Sequence, residues 1–215
     1  MDNKQKYGRV LILGRPNTGK STFLNAAMSQ KVAITSHLPQ TTRKNVKAVY
    51  SDDRGKILFI DTPGLLAKVT DLMGKKVNIE VSKNINHAQV IIMMVDISRP
   101  KNEEENKALG IVRKMKAKKI LVYNKIDRAK GSKDHLAEYN YLEEEFDKTV
   151  AISAIKEKGV KSVIGAIFEL LPTKTSKEVK EEIDSLVASN RPVISMDSNE
   201  FVSEIIREKA YLCLR

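Results

Sequence analysis

Gly14-Arg15-Pro16-Asn17-Thr18-Gly19-Lys20-Ser21 sets two glycines, a lysine and a hydroxyl at the GxxxxGK[ST] spacing of a phosphate-binding loop. Glycine at 14 and 19 lets the backbone curl so that successive N–H groups converge on phosphate oxygens. Lys20 is expected to reach the β- and γ-phosphates, and the Ser21 hydroxyl to sit on a magnesium ion. A helix opening near Lys20 adds the positive end of its dipole, and Thr22 completes the candidate nucleotide-binding set of this stretch. Asn17 has a side-chain oxygen that can help coordinate a monovalent cation, potassium, beside the β- and γ-phosphates.

Four further stretches supply the rest of a nucleotide switch. Asn124-Lys125-Ile126-Asp127 selects the base: guanine presents N1–H beside an exocyclic amino group, and one carboxylate, Asp127, accepts from both. Adenine lacks that pair, so Asp127 argues against an ATP-dependent enzyme. Asn124 is expected to hold the loop and the base edge, with the Lys125 stem covering the ring. Ser153-Ala154 fits a loop whose backbone N–H touches the guanine oxygen. Asp61-Thr62-Pro63-Gly64 fits a γ-phosphate sensor, Asp61 holding magnesium directly or through water and the Gly64 N–H bonding the γ-phosphate. Thr42 is the candidate for the second hydroxyl on magnesium, Thr41 the alternative. Lys20, Thr42 and Gly64 are thus the candidate catalytic residues, and Ser21, Thr42 and Asp61 the candidate magnesium set. Leu65 stands where Ras-like switches carry a water-orienting glutamine, which implies slow intrinsic turnover, on the order of 10⁻⁴ to 10⁻² per second.

The elements that must position these residues read as an alternation. Val10–Leu13 is a buried strand and residues 22–28 a helix; residues 31–43 are a polar loop. Residues 45–51 and 56–61 form an antiparallel hairpin across Asp52-Asp53-Arg54-Gly55. A helix of uncertain start ends near Asn86. Strands at 89–95, 119–123 and 149–152 alternate with helices at 103–116, 133–146 and 160–171. The fold class is therefore α/β, a P-loop NTPase with a doubly wound, mostly parallel sheet and one antiparallel edge hairpin. Asp61, Asn124 and Ser153 each follow a strand, so they converge on one rim of the sheet beside the phosphate loop. Pro172 breaks the alternation; residues 177–189 read as a helix, Arg191-Pro192 as an extended link, and Asp197-Ser198-Asn199-Glu200 as a capping box opening a last helix. The division is a nucleotide-binding domain over 1–171 and a helical C-terminal extension over 172–215.

Composition bounds the function. The net charge is +11, and residues 172–215 hold seven basic and eight acidic side chains, so the whole excess lies in the nucleotide-binding part. That surface suits nucleic acid or an acidic partner. No apolar run reaches the ~20 residues of a membrane span, and residues 1–6 lack the apolar core of a signal peptide, so a cytoplasmic location is expected. The single cysteine, Cys213, excludes an internal disulfide, and His37, His87 and His135 show no metal-ligand spacing.

These motifs, with Pro39-Gln40-Thr41-Thr42-Arg43 and Glu204-Ile205-Ile206-Arg207-Glu208-Lys209, make the chain resemble the bacterial Era family of GTPases over nearly its whole length. The phosphate-loop, sensor and base motifs are shared with tRNA-modifying GTPases; the Gln-Thr-Thr-Arg and Glu-Ile-Ile-Arg-Glu-Lys stretches favour Era. The resemblance implies a GTP/GDP- and magnesium-dependent GTPase that acts in small ribosomal subunit assembly by binding the 3′ end of its ribosomal RNA. It also implies peripheral contact with the inner face of the cell membrane and a KH module as second domain. On that basis residues 172–215 are expected to be a linker and the start of a truncated RNA-binding domain. The competing expectations are a guanine-nucleotide-responsive binding module with negligible turnover, kept open by Leu65, and a tRNA-modification-type GTPase.

Overall fold

Short apolar runs separated by amphipathic ones resolve into strands covered on both faces by helices, in a computed structural model that describes residues 4–29, 46–61, 88–128 and 133–187. The strands are β1 (Lys4–Leu13), β2 (Val46–Asp52), β3 (Gly55–Asp61), β4 (Val90–Asp96), β5 (Lys118–Asn124), β6 (Lys148–Ala151) and β7 (Thr173–Thr175). The helices are α1 (Lys20–Met28), α2 (Glu103–Arg113), α3 (Lys133–Ala137), α4 (Val160–Leu170) and α5 (Ser176–Val187). Among the described residues the sheet has seven strands in the order β2-β3-β1-β4-β5-β6, with β7 beside β1. All pairs are parallel except β2 with β3 and β7 with β1.

Period-two alternation in β1 divides the core. Val10 and Ile12 pack on one face with Phe23 and Leu24 of α1 and Val163, Ile164 and Ile167 of α4. Leu11 and Leu13 pack on the other with Ala108, Leu109 and Val112 of α2 and with Tyr139 and Leu142. Every residue of β4 is buried, as a central parallel strand requires. Register then delivers the functional ends to one rim: Ile12 lies opposite Asp61, Leu13 opposite Met93, and Asp96 opposite Asn124.

Three elements depart from the sequence expectation. β1 begins at Lys4 instead of Val10, because its polar first residues pair with Gly55 on one side and with Thr173–Thr175 on the other. The expected helix over 133–146 is broken into α3 and a 3-10 turn, Asn140–Glu145. Tyr139 and Leu142 are both fully buried and lie three residues apart. Three residues per turn put them on one face, where an α pitch would set them about 60° apart. Residues 173–175, expected as linker, form β7, tied down by Lys6 Nζ donating to the Leu171 carbonyl at 2.6 Å and Tyr7 N–H to the Pro172 carbonyl at 3.1 Å. The expected loop at 31–43, the helix ending near Asn86, and the link, capping box and last helix after 190 lie outside the described residues. No helix among the described residues is long and apolar enough to cross a membrane.

Candidate nucleotide site

The loop between β1 and α1 has the backbone that its glycines allow. Gly14 and Gly19 have φ of +154° and +98°, and Asn17, a residue that tolerates the left-handed region, has φ +62°. A Cβ on Gly14 would run into the Met94 carbonyl, and one on Gly19 into the Asn124 amide. Lys20 is 7% exposed and its Nζ donates to the carbonyls of Gly14 (3.2 Å) and Arg15 (3.0 Å), so the ammonium lies over the first turn of the loop. Thr18 Oγ1 donates to the same Arg15 carbonyl at 3.0 Å. Ser21 and Thr22 follow in the first turn of α1, partly buried.

Asn124, at the end of β5 and 2% exposed, ties three loops together. Its Nδ2 donates to the Thr18 carbonyl (2.7 Å), and its Oδ1 accepts from the N–H of Lys125 (2.8 Å) and of Ala154 (3.0 Å). Lys125 takes φ +68°, which turns the chain so that Asp127 returns towards Ser153. Ser153 Oγ donates to Asp127 Oδ1 at 2.6 Å and accepts from the Lys156 N–H at 3.3 Å. The structure therefore brings together the phosphate loop, Asn124, Lys125, Asp127, Ser153 and Ala154. Asp61 ends β3 beside them by register. Thr41, Thr42, Thr62, Pro63, Gly64 and Leu65 lie outside the described residues.

Beneath the loop runs a polar network that the motifs did not announce. Asp96, at the end of β4, is fully buried. Its Oδ1 accepts from the N–H and Oγ of Ser98 (3.0 and 2.6 Å), and its Oδ2 accepts from Lys125 Nζ (2.7 Å). Arg99 Nε lies 2.7 Å from the same Oδ2 as an ion pair whose N–H is not aligned on the oxygen. Burial pushes the Asp96 carboxyl up, but Lys125 and Ser98 outweigh it and hold it below the usual range. Arg15, 3% exposed, donates to the carbonyls of Pro100 (2.9 Å) and Arg99 (3.5 Å), and its Nε faces Glu105 Oε1 at 3.7 Å without a hydrogen bond. Glu105 Oε2 accepts from the Tyr139 hydroxyl at 2.7 Å. Burial raises the Glu105 carboxyl above its ordinary value, against the pull of Tyr139 and Arg15. The signal for Glu105 was present in its spacing: 105, 108, 109 and 112 form the apolar stripe of α2, and Glu105 is the charged member.

A family profile described as 50S ribosome-binding GTPase matches residues 9–125. GTPase Era of Borreliella burgdorferi is 37% identical over 217 residues, covering 95% of this chain and 67% of that protein. A crystal structure of a variant of Aquifex aeolicus Era bound to GDP·AlF4− superposes with TM-score 0.71 at 31% identity, over 78% of this chain and 58% of that one. A crystal structure of Era in complex with MgGDPNP and nucleotides 1506–1542 of 16S ribosomal RNA superposes with TM-score 0.71 at 30% identity, again over 58% of the solved chain. The chain thus spans about two thirds of the length of the curated relative and 58% of the solved Era chains.

Proposed function

Because the chain belongs to the Era family of GTPases, we propose that it binds GTP and GDP with magnesium at residues 14–22 and hydrolyses GTP slowly, as a switch in small ribosomal subunit assembly. The observation that carries this reading is the Asn124 side chain, which locks the phosphate loop to both base-site loops through Thr18 O and Ala154 N–H. Asp127, held on one oxygen by Ser153, is the carboxylate that would read guanine. Ser21, with Thr42 and Asp61, would hold the magnesium ion, which neutralises charge between the β- and γ-phosphates. Ser21 is the second residue of α1, directly after Lys20, where its hydroxyl suits a hard cation that takes oxygen ligands. Lys20 would stabilise the same phosphates, and the Gly64 N–H would sense the γ-phosphate. The side-chain oxygen of Asn17, within the phosphate loop, would help hold potassium as a further cation.

The described relative bound to 16S ribosomal RNA supports the small subunit and its rRNA as partners. Peripheral contact with the inner membrane face, like the cytoplasmic location, is carried over from resemblance and composition alone. Labelled GDP is expected to bind and to be displaced by GDP but not by ADP. Asp127→Asn should exchange the preference from GDP to xanthosine diphosphate by at least two orders of magnitude. ADP competing as well as GDP overturns the reading. Single-turnover hydrolysis should be faster in potassium than in sodium, and equal rates remove the cation role of Asn17. Leu65 favours a second reading, a nucleotide-responsive binding module, which replaces the first if GTP is not cleaved with or without small subunits.

A further inference from the structure

We propose that Arg99 is a positioning residue for the phosphate loop: by holding the Pro16 carbonyl on the loop's outer face, it aims the Asn17 N–H at the β-phosphate. Arg99 Nη2 donates to the Pro16 carbonyl at 2.8 Å. The peptide that follows is trans, and a trans peptide carries its C=O and the next N–H on opposite sides. Fixing the Pro16 oxygen towards Arg99 therefore turns the Asn17 N–H to the other face of the loop. Asn124 does the same two peptides further on, its Nδ2 holding the Thr18 carbonyl at 2.7 Å and so turning the Gly19 N–H inward. Alternate carbonyls, 16 and 18, are thus pinned from outside by a side chain that follows β4 and one that ends β5. The N–H groups of 17 and 19 converge on the opposite face, as an anion cradle needs.

A surface arginine is a poor tether unless something fixes it, and Arg99 is fixed at both ends. Its Nε is paired with the buried Asp96 at 2.7 Å, the carboxylate that also holds Lys125 of the base loop. Its own carbonyl, and that of Pro100, accept from the Arg15 guanidinium, at 3.5 and 2.9 Å. The two segments exchange arginines: Arg15 of the phosphate loop grips the 99–100 backbone, and Arg99 grips the backbone at Pro16.

The inference rests on the proposed function, and its test separates the two. Arg99→Met keeps the aliphatic stem and removes the donors; affinities for GDP and for GMP are measured on the full chain with and without the substitution. GDP binding is expected to weaken about tenfold and GMP binding to stay the same, so that their ratio falls about tenfold. The Asn17 amide resonance, which should shift on adding GDP to the parent protein, should shift less in the variant. General loosening of the site would weaken GDP and GMP by the same factor, and that outcome, or an unchanged ratio, overturns the inference alone. A parent protein that fails to bind GDP overturns the proposed function and this inference with it. Should Arg99→Met not fold, Arg99→Lys keeps the charge on Asp96 without the second nitrogen and is expected to lower the same ratio; no change there overturns the inference equally.

Discussion

Asp96 and Glu105 are fully buried carboxylates in one network, yet their titrations act on stability with opposite sign. Asp96 is held below its ordinary value of 3.8, so its contribution is present above that pH and is lost as pH falls through the depressed value. Glu105 is raised above its ordinary value of 4.5 by burial. As pH rises from about 4.5 through the raised value, the native state binds more protons than the unfolded chain, so Glu105 subtracts stability over that window. Glu105→Gln keeps an acceptor for the Tyr139 hydroxyl and abolishes the titration. Urea unfolding at a series of pH values should show the variant gaining on the parent as pH rises above about 4.5, the ordinary value; a constant difference would contradict the assignment. The phosphate and base motifs were legible because their chemistry demands fixed residue types at fixed spacing. The side-chain roles of Arg15, read only as a member of the phosphate loop, and of Arg99 were not, since both act through backbone carbonyls, which any sequence supplies, and only the fold brings residues 83 to 85 apart into contact.

At the scale of elements, long apolar runs announced strands and short polar ones did not. Val90–Asp96 could be read directly because both its faces are buried. Lys4-Gln5-Lys6 could not, because its strand character comes from neighbours: the Lys6 N–H donates to the Arg54 carbonyl at 3.0 Å, and Lys6 lies opposite Gly55. Gly55 has φ +144°, and a Cβ there would run into the backbone of Lys6, above all its carbonyl oxygen. No rotamer change relieves a clash between backbones. Gly55→Ala should therefore cost about 3 kcal/mol through strain and the displaced β1–β3 register. Chemical denaturation reads this cost, and a loss below about 1 kcal/mol would mean that the hairpin shifts to accommodate the methyl. The 3-10 break after α3 escaped the sequence for a related reason: Tyr139, just before the turn, is held by Glu105 of α2, a contact between distant elements that the local sequence does not show.

Across the whole molecule, β1 joins two opposite rims of the sheet. Its C-terminal end carries the phosphate loop, while its first residues, Lys4 to Lys6, pair with β7, and α5 packs against both strands. The eight residue-to-residue steps from Lys6 to Gly14 span about 26 Å at strand rise. That distance places the β7–α5 strap far from the phosphate loop, and Val179, 1% exposed, anchors it among the described side chains. Val179→Ala removes two methyl groups from a packed site and should cost about 1–3 kcal/mol. GDP binding should remain within about twofold of the parent, because sites this far apart with no shared partner are close to additive. Saturating GDP stabilises the folded state by RT ln(1 + [L]/Kd), about 2.7 kcal/mol at one hundred times Kd, in parent and variant alike. Urea unfolding with and without GDP tests this: the stability gap between the two proteins should be the same in both conditions. A gap that widens or closes when GDP is added would show that β1 transmits the state of the phosphate loop to the segment after Leu171, making the strap part of the switch.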